Sequence, residues 1–115
     1  MKMIIAVIQP NKYQAVREAL DRAAVTRLTI CDAMGIGRQR GEVEPDAGHE
    51  FSTVLRPKIV LEIVVNDDFV DRTIDTIVAI AKTGSSGQID DGKIFVVPTL
   101  ETIRVSDLSR GFGAV

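Results

Sequence analysis

The 115-residue sequence has no tryptophan, one cysteine, one histidine and one tyrosine, and its aromatic content is only 4%. Cys31 has no partner for an internal disulfide and His49 has none for a zinc cluster, so disulfide-stapled and zinc-stapled scaffolds are excluded. Neither sign of charge is in surplus: 14 Lys and Arg face 16 Asp and Glu, a formal net charge of −2. Such a chain offers no broad positive field to nucleic acid or to an anionic membrane, and any recognition of phosphate has to be local. Long apolar runs are also missing. The first one, residues 3–9, is cut off at Pro10, too early for a signal peptide or a membrane span, and the protein is expected to be cytoplasmic with no direct membrane insertion. What is present is 45% apolar and 26% charged, the composition of one compact domain over residues 1–115. At this length folding hides about two thirds of the surface of the unfolded chain.

Hydrophobic periodicity orders the chain. Residues 3–9 are apolar and β-branched, the pattern of a central strand. Asn11 is a candidate cap for a helix over about residues 11–25, where Tyr13, Val16, Leu20 and Ala23 recur at helical spacing. A second strand over 28–34 is expected to stop at Gly35-Ile36-Gly37. Residues 37–55 mix glycine, proline and charged side chains without a lasting period and read as a long exposed loop, a feature usually kept for function. A third strand follows at 59–65. Asn66 then caps a second helix through Val70, Ile74, Ile77 and Ala81. The glycine-rich segment 84–92 leads to a fourth strand at 93–97, a short fifth strand is expected over 100–105, and 106–115 reads as a C-terminal tail. Two strand-helix-strand halves with right-handed crossovers give an α+β ferredoxin-like βαββαβ sandwich with both helices on one face. The strands are apolar on their other face too, and a second copy is the natural cover, so a homo-oligomer is expected.

Two loops carry groups suited to anions. Gly35-Ile36-Gly37-Arg38-Gln39-Arg40-Gly41 joins closely approachable backbone to two guanidinium groups. The run from Thr83 to Lys93 resembles a phosphate nest and is not a Walker A loop, since its lysine opens a strand. Each reads equally well, alone, as a plain connection with solvated charges. Lys58 and Glu62 share one strand face with Val60 and Val64. Alone, Arg104 reads as surface decoration, His49 as a solvated loop side chain and Cys31 as a small core residue.

In order, Met1-Lys2, Gly35-x-Gly-Arg-Gln-Arg-Gly41, Leu55-Arg-Pro-Lys58, Glu62-Ile-Val64, Thr83-Gly84, Asp91-Gly-Lys-Ile-Phe-Val-Val-Pro98 and Ile103-Arg104 resemble the nitrogen regulatory PII signal-transduction family over nearly the whole chain. The resemblance implies a homotrimer that binds ATP or ADP in clefts between subunits. It also implies that each subunit projects residues 37–55, the T-loop, toward a target such as an ammonium transporter or a metabolic enzyme, so that association with a membrane would come through a transporter. By matching positions, Thr29, Glu62 and Val64 would line an adenine pocket and Gly35, Gly37 and Arg38 would approach the nucleotide. Gly92 and Lys93, with Arg104 of a neighbouring subunit, would neutralise the phosphates. Gln39, with Gly41 beside it, would complete a Mg²⁺ site bridged to 2-oxoglutarate, whose distal carboxylate would pair with Lys58. Arg40, Glu44 and Phe51 would face the target protein.

The chain departs from the family pattern where function is concerned. Phe51 stands in place of the tyrosine that many bacterial members uridylylate, and His49 in place of a serine phosphorylated in others. Residues 85–90 put six positions where three are usual, Asp90 replaces a glycine, and Gly87 is the candidate to supply the missing backbone approach. Ser106 replaces a second phosphate-binding arginine, which favours weaker ATP binding or a preference for ADP or AMP. The competing readings are another small-anion sensor, a small phosphate-ester or acylphosphate hydrolase on the same sandwich, and a single-stranded RNA binder. The hydrolase has no supporting nucleophile and base arrangement, and the RNA binder lacks paired strand aromatics.

Overall fold

In the computed structural model the described residues are 1–40 and 51–115, with 37–40 and 51–54 described by their backbone pairing alone. Four strands, β1 (Lys2–Ile8), β2 (Thr29–Arg40), β3 (Phe51–Val65) and β4 (Gly92–Pro98), and two helices, α1 (Tyr13–Arg22) and α2 (Val70–Ala81), follow the expected order. The strands form one antiparallel sheet in the order β2-β3-β1-β4, the ferredoxin-like arrangement.

The alternation of strand residues fixes which face the helices cover. Ile4, Ala6 and Ile8 of β1 register with Ile63, Leu61 and Ile59 of β3, and all six are buried in one cluster with Val16 and Leu20 of α1 and Ile77 and Ala81 of α2. The remaining face carries Met3, Ile5 and Val7 opposite Val64, Glu62 and Val60, none of them fully buried.

Several boundaries differ from the sequence reading, each for a local reason. Helix α1 is preceded by a 3₁₀ turn over Pro10–Lys12, and neither Asn11 nor Lys12 provides a side-chain cap. It ends in a Schellman motif: Val25 N–H donates to Leu20 O (2.9 Å) and Ala24 N–H to Asp21 O (3.0 Å), with Ala24 at φ 64° where glycine is usual. Asn66 does not cap the second helix; its amide donates to Phe112 O at 3.3 Å. Strand β2 runs through Gly35 and Gly37 to Arg40, and β3 begins at Phe51, so both ends of the expected 37–55 loop belong to a two-stranded ribbon. Pro57 is tolerated there because β3 pairs with β1 only from Ile59 onward, leaving one side of the ribbon open. In place of a fifth strand there is a single bridge, Ile103 with Arg110. The tail folds back through Arg104 N–H to Ser109 O (2.9 Å) and Gly111 N–H to Thr102 O (2.9 Å), and Ala114 is buried. Cys31 is exposed, not in the core, because its register with Val60 puts it on the sheet face away from the helices.

Candidate functional site

The sheet register gathers most of the singled-out residues on the uncovered face. Thr29 stands opposite Glu62, which stands opposite Ile5, which stands opposite Phe95. The next row is Cys31, Val60, Val7 and Lys93. Glu62 needs no buried partner, because it is exposed.

At one end of this face the β2–β3 ribbon meets the segment before β4. A Cβ at Gly35 would lie 3.3 Å from Lys58 Cγ and 3.6 Å from its Cε, so glycine leaves room for the lysine stem. The Lys58 ammonium donates to Asp90 O at 3.1 Å. Gln9 Nε2 donates to the same oxygen at 3.2 Å. The Asp90 carboxylate turns toward Arg56, at 3.9 Å from Nη1.

The segment itself is stapled by Asp91. Its carboxylate accepts from Thr83 Oγ1 at 2.5 Å, Thr83 N at 2.8 Å and Gln88 N at 2.8 Å. The Thr83 hydroxyl first, then the two backbone N–H groups, holds the carboxyl below its ordinary pKa. Gly84 and Gly87 turn the chain at φ 65° and 74°. Gly92 has a backbone reason for being glycine: at φ 125°, a Cβ there would overlap the Val7 carbonyl of the neighbouring strand. A cleft of about 580 Å³ runs between this segment, β4 and α2, lined by Gly87, Gly92 and Lys93 on the loop side and Ile74, Ile77 and Ala81 on the helix side. The Lys93 side chain is exposed.

Arg104 is elsewhere. It donates to Asp107 Oδ2 (3.2 Å) and to Gly113 O (3.0 Å), and it lines a cleft of about 370 Å³ with Val64, Asn66 and Arg27. Asp107 is held by Ser109, whose hydroxyl (2.7 Å) and N–H (3.0 Å) both donate to it; the hydroxyl is the main cause of its lowered pKa. Val64 lies six residues beyond Lys58 along β3, about 20 Å at roughly 3.3 Å per residue.

The fold therefore brings Gly35, Lys58, Gly87, Gly92 and Lys93 toward one end of the sheet, sets Thr29 and Glu62 in its middle, and leaves Val64 and Arg104 at the other end. Gly37, Arg38, Gln39 and Arg40 register with Val54, Thr53, Ser52 and Phe51 along the ribbon; the side chains of Arg38, Gln39, Arg40 and Phe51, and all of Gly41, Glu44 and His49, lie outside the described residues. Sequence reasoning gave no role to Gln9 or Arg56. Their meeting with Asp90 spans 81 residues in the first case and 34 in the second, distances at which periodicity carries no signal. Among the described residues no three His, Cys, Asp or Glu side chains are grouped to hold a metal ion, and no helix is long and apolar enough to cross a membrane.

Fold and site together define a small ferredoxin-like α+β protein with a glycine- and cation-lined sheet end. A family model described as nitrogen regulatory protein P-II matches residues 1–108, and the chain belongs to that family. It is 45% identical over 105 residues, 91% of each chain, to nitrogen regulatory protein P-II of Klebsiella oxytoca and to P-II 1 of Escherichia coli strain K12. With P-II of Bradyrhizobium diazoefficiens it shares 41% identity over 115 residues, the full length of both. These relatives are named as regulators, which fits a signal-transduction protein.

Proposed function

We propose that the protein is a non-catalytic, homotrimeric regulator that binds ATP or ADP, or AMP, in clefts between subunits, with Mg²⁺ and 2-oxoglutarate as co-ligands. Through residues 37–55, with Arg40, Glu44 and Phe51 in contact, it controls a target protein such as an ammonium transporter or a metabolic enzyme. In this reading Thr29, Glu62 and Val64 line the adenine, and Gly35, Gly37 and Arg38 approach the nucleotide. Gly87, Gly92, Lys93 and a neighbour's Arg104 take the phosphates, and Gln39, Gly41 and Lys58 serve the cation and the dicarboxylate.

The observation that carries the reading is the separation of the cations. Lys93 registers with Val7 and through it with Val60, whereas Arg104 shares a cleft with Val64, four strand residues and about 13 Å further along, and is turned to Asp107 and Gly113, so one chain does not gather the two cations around one phosphate. Two chains stacked on their uncovered faces remove that obstacle. The donor set suits phosphate: the Lys93 side chain is exposed, and glycines with positive φ at 84, 87 and 92 are the kind of residue from which anion-binding backbone turns are built. A charged side chain lost from such a contact costs about 1.5–3 kcal/mol, about a tenfold to hundredfold change in affinity. Function then follows from linkage: a ligand shifts the target-competent population by its differential affinity for the two loop arrangements.

Titration calorimetry with ATP, ADP and AMP, each with and without Mg²⁺ and 2-oxoglutarate, tests this. Binding at one site per chain, weakened at least tenfold in Lys93→Ala and in Arg104→Ala (about 1.4 kcal/mol), is expected. A protein that gives no heat with any adenylate at millimolar concentration overturns it.

A further inference from the structure

The backbone at Arg27 is held in place by its neighbours. Val25 is buried and closes the turn after α1 through its N–H to Leu20 O (2.9 Å), and Leu28 packs against the helix-side core. Thr29 then opens β2 opposite Glu62 of β3. With Leu28 turned to the core, alternation puts Arg27 and Thr29 on the uncovered face, and the same register carried two residues back sets Arg27 opposite Val64. Both line the cleft of about 370 Å³ that Arg104 also lines, a size that suits a small ligand. The turn that carries Arg104 is tied to the end of β3, since the Asn66 amide donates to Phe112 O at 3.3 Å and Ala114 is buried.

Two guanidinium groups therefore line one cleft, and they are not equally occupied. Arg104 has one N–H on Asp107 (3.2 Å) and one on Gly113 O (3.0 Å); the first is an exposed pair of the kind that contributes little. Arg27 is exposed, and no acceptor among the described residues takes any of its N–H donors. No acidic side chain among the described residues lines the cleft. Like charges gathered in a cleft without a counter-charge favour a bound anion, and the planar fork of a guanidinium matches phosphate.

We propose that Arg27 is a second phosphate-binding guanidinium, brought to the nucleotide by the same subunit that brings Arg104. The inference rests on the adenylate reading given above and adds to it a residue and a preference. Ser106 leaves its own position uncharged, but Arg27 comes to the cleft from the segment before β2. The order of affinities follows. Each phosphate added to the ligand gives the pair more charge and more acceptor oxygens to hold, so affinity rises from AMP through ADP to ATP, against the order expected from Ser106 alone.

The test is titration calorimetry of AMP, ADP and ATP into the full chain, for wild type and Arg27→Ala, with sedimentation of both. Arg27→Ala is expected to bind ATP at least about tenfold more weakly than wild type, with a smaller loss for ADP and the smallest for AMP, and to sediment like wild type. Arg27→Lys, which keeps the charge and loses the fork, falls between the two. An equal loss for all three nucleotides, or no loss, overturns the inference and leaves the adenylate reading standing. Should Arg27→Ala fail to fold or assemble, Arg27→Gln, uncharged and closer in length, is read by the same criteria. A wild type that binds no adenylate overturns the adenylate reading, and inorganic tripolyphosphate then decides the inference. Binding of tripolyphosphate that Arg27→Ala loses keeps the two-guanidinium site, and any other result overturns it.

Discussion

Asp91 illustrates how one side chain carries a loop that has no regular structure. Three donors converge on its carboxylate, and all three prefer it ionised. Its folded pKa is below the ordinary value of 3.8, so the unfolded chain binds the proton more readily than the folded one. The stabilisation is fully present above 3.8 and drains away as pH falls through the lower folded value. Asp91→Asn is therefore expected to melt below wild type at neutral pH, and the gap between the two melting temperatures is expected to close below about pH 4. A gap independent of pH would assign the loss to shape instead of charge. The Asp-Gly-Lys run that contains Asp91 is conspicuous in the sequence, but its reading there was for phosphate. That the aspartate staples Thr83 and that Gly92 avoids Val7 are tertiary facts, and they account for two of those residue types without any ligand.

The elements legible in the sequence are those with a face to bury. Strands β1 and β3 over 59–65 and both helices show the alternation or the three-to-four spacing of their buried residues, whereas β4, where only Ile94 is sheltered, is legible from its run of apolar, β-branched residues. The ribbon beyond Gly35 and before Ile59 was illegible, because a two-stranded arm has no core face and contains Gly35, Gly37 and Pro57, all of which argue against strand. Caps were misread for a related reason: Asn11 and Asn66 have the right chemistry, yet 3₁₀ turns open both helices. The C-terminus of α1 is a further case. Its Schellman hydrogen bonds force Ala24 to φ 64°, a conformation that costs a side-chain-bearing residue about 1–2 kcal/mol. Glycine relieves this but loses roughly 0.4–1 kcal/mol through the freedom of the unfolded chain. Ala24→Gly is expected to stabilise by about 0.5 kcal/mol, read in urea as a raised midpoint with unchanged slope. A lowered midpoint would mean that the turn holds no strain.

At the scale of the whole molecule the sheet has one face too few covers. Phe95 is 50% exposed and Val97 41%, and Ile5, Val7 and Val60 are only half-buried between them. Covering the open half of a phenylalanine, on the order of 100 Å², contributes about 2.5 kcal/mol, so several such residues supply a stable contact between copies. The face is directional, with Lys58 and Lys93 toward one end and Arg104 at the other, so in the trimer proposed above copies would bring unlike ends together, head to tail, in a closed ring. Ile5 lies at the centre of this face, on β1 between Glu62 and Phe95, and makes no part of the helix-side core. A carboxylate there is solvated in the single chain and buried against apolar groups in an assembly, at a cost of several kcal/mol. Ile5→Glu is therefore expected to retain the far-ultraviolet circular dichroism of wild type, to sediment as a monomer where wild type sediments as a trimer, and to lose adenylate binding together with assembly. Retained adenylate affinity in a monomeric Ile5→Glu would show that a single chain suffices, and would take the neighbour's Arg104 out of the site.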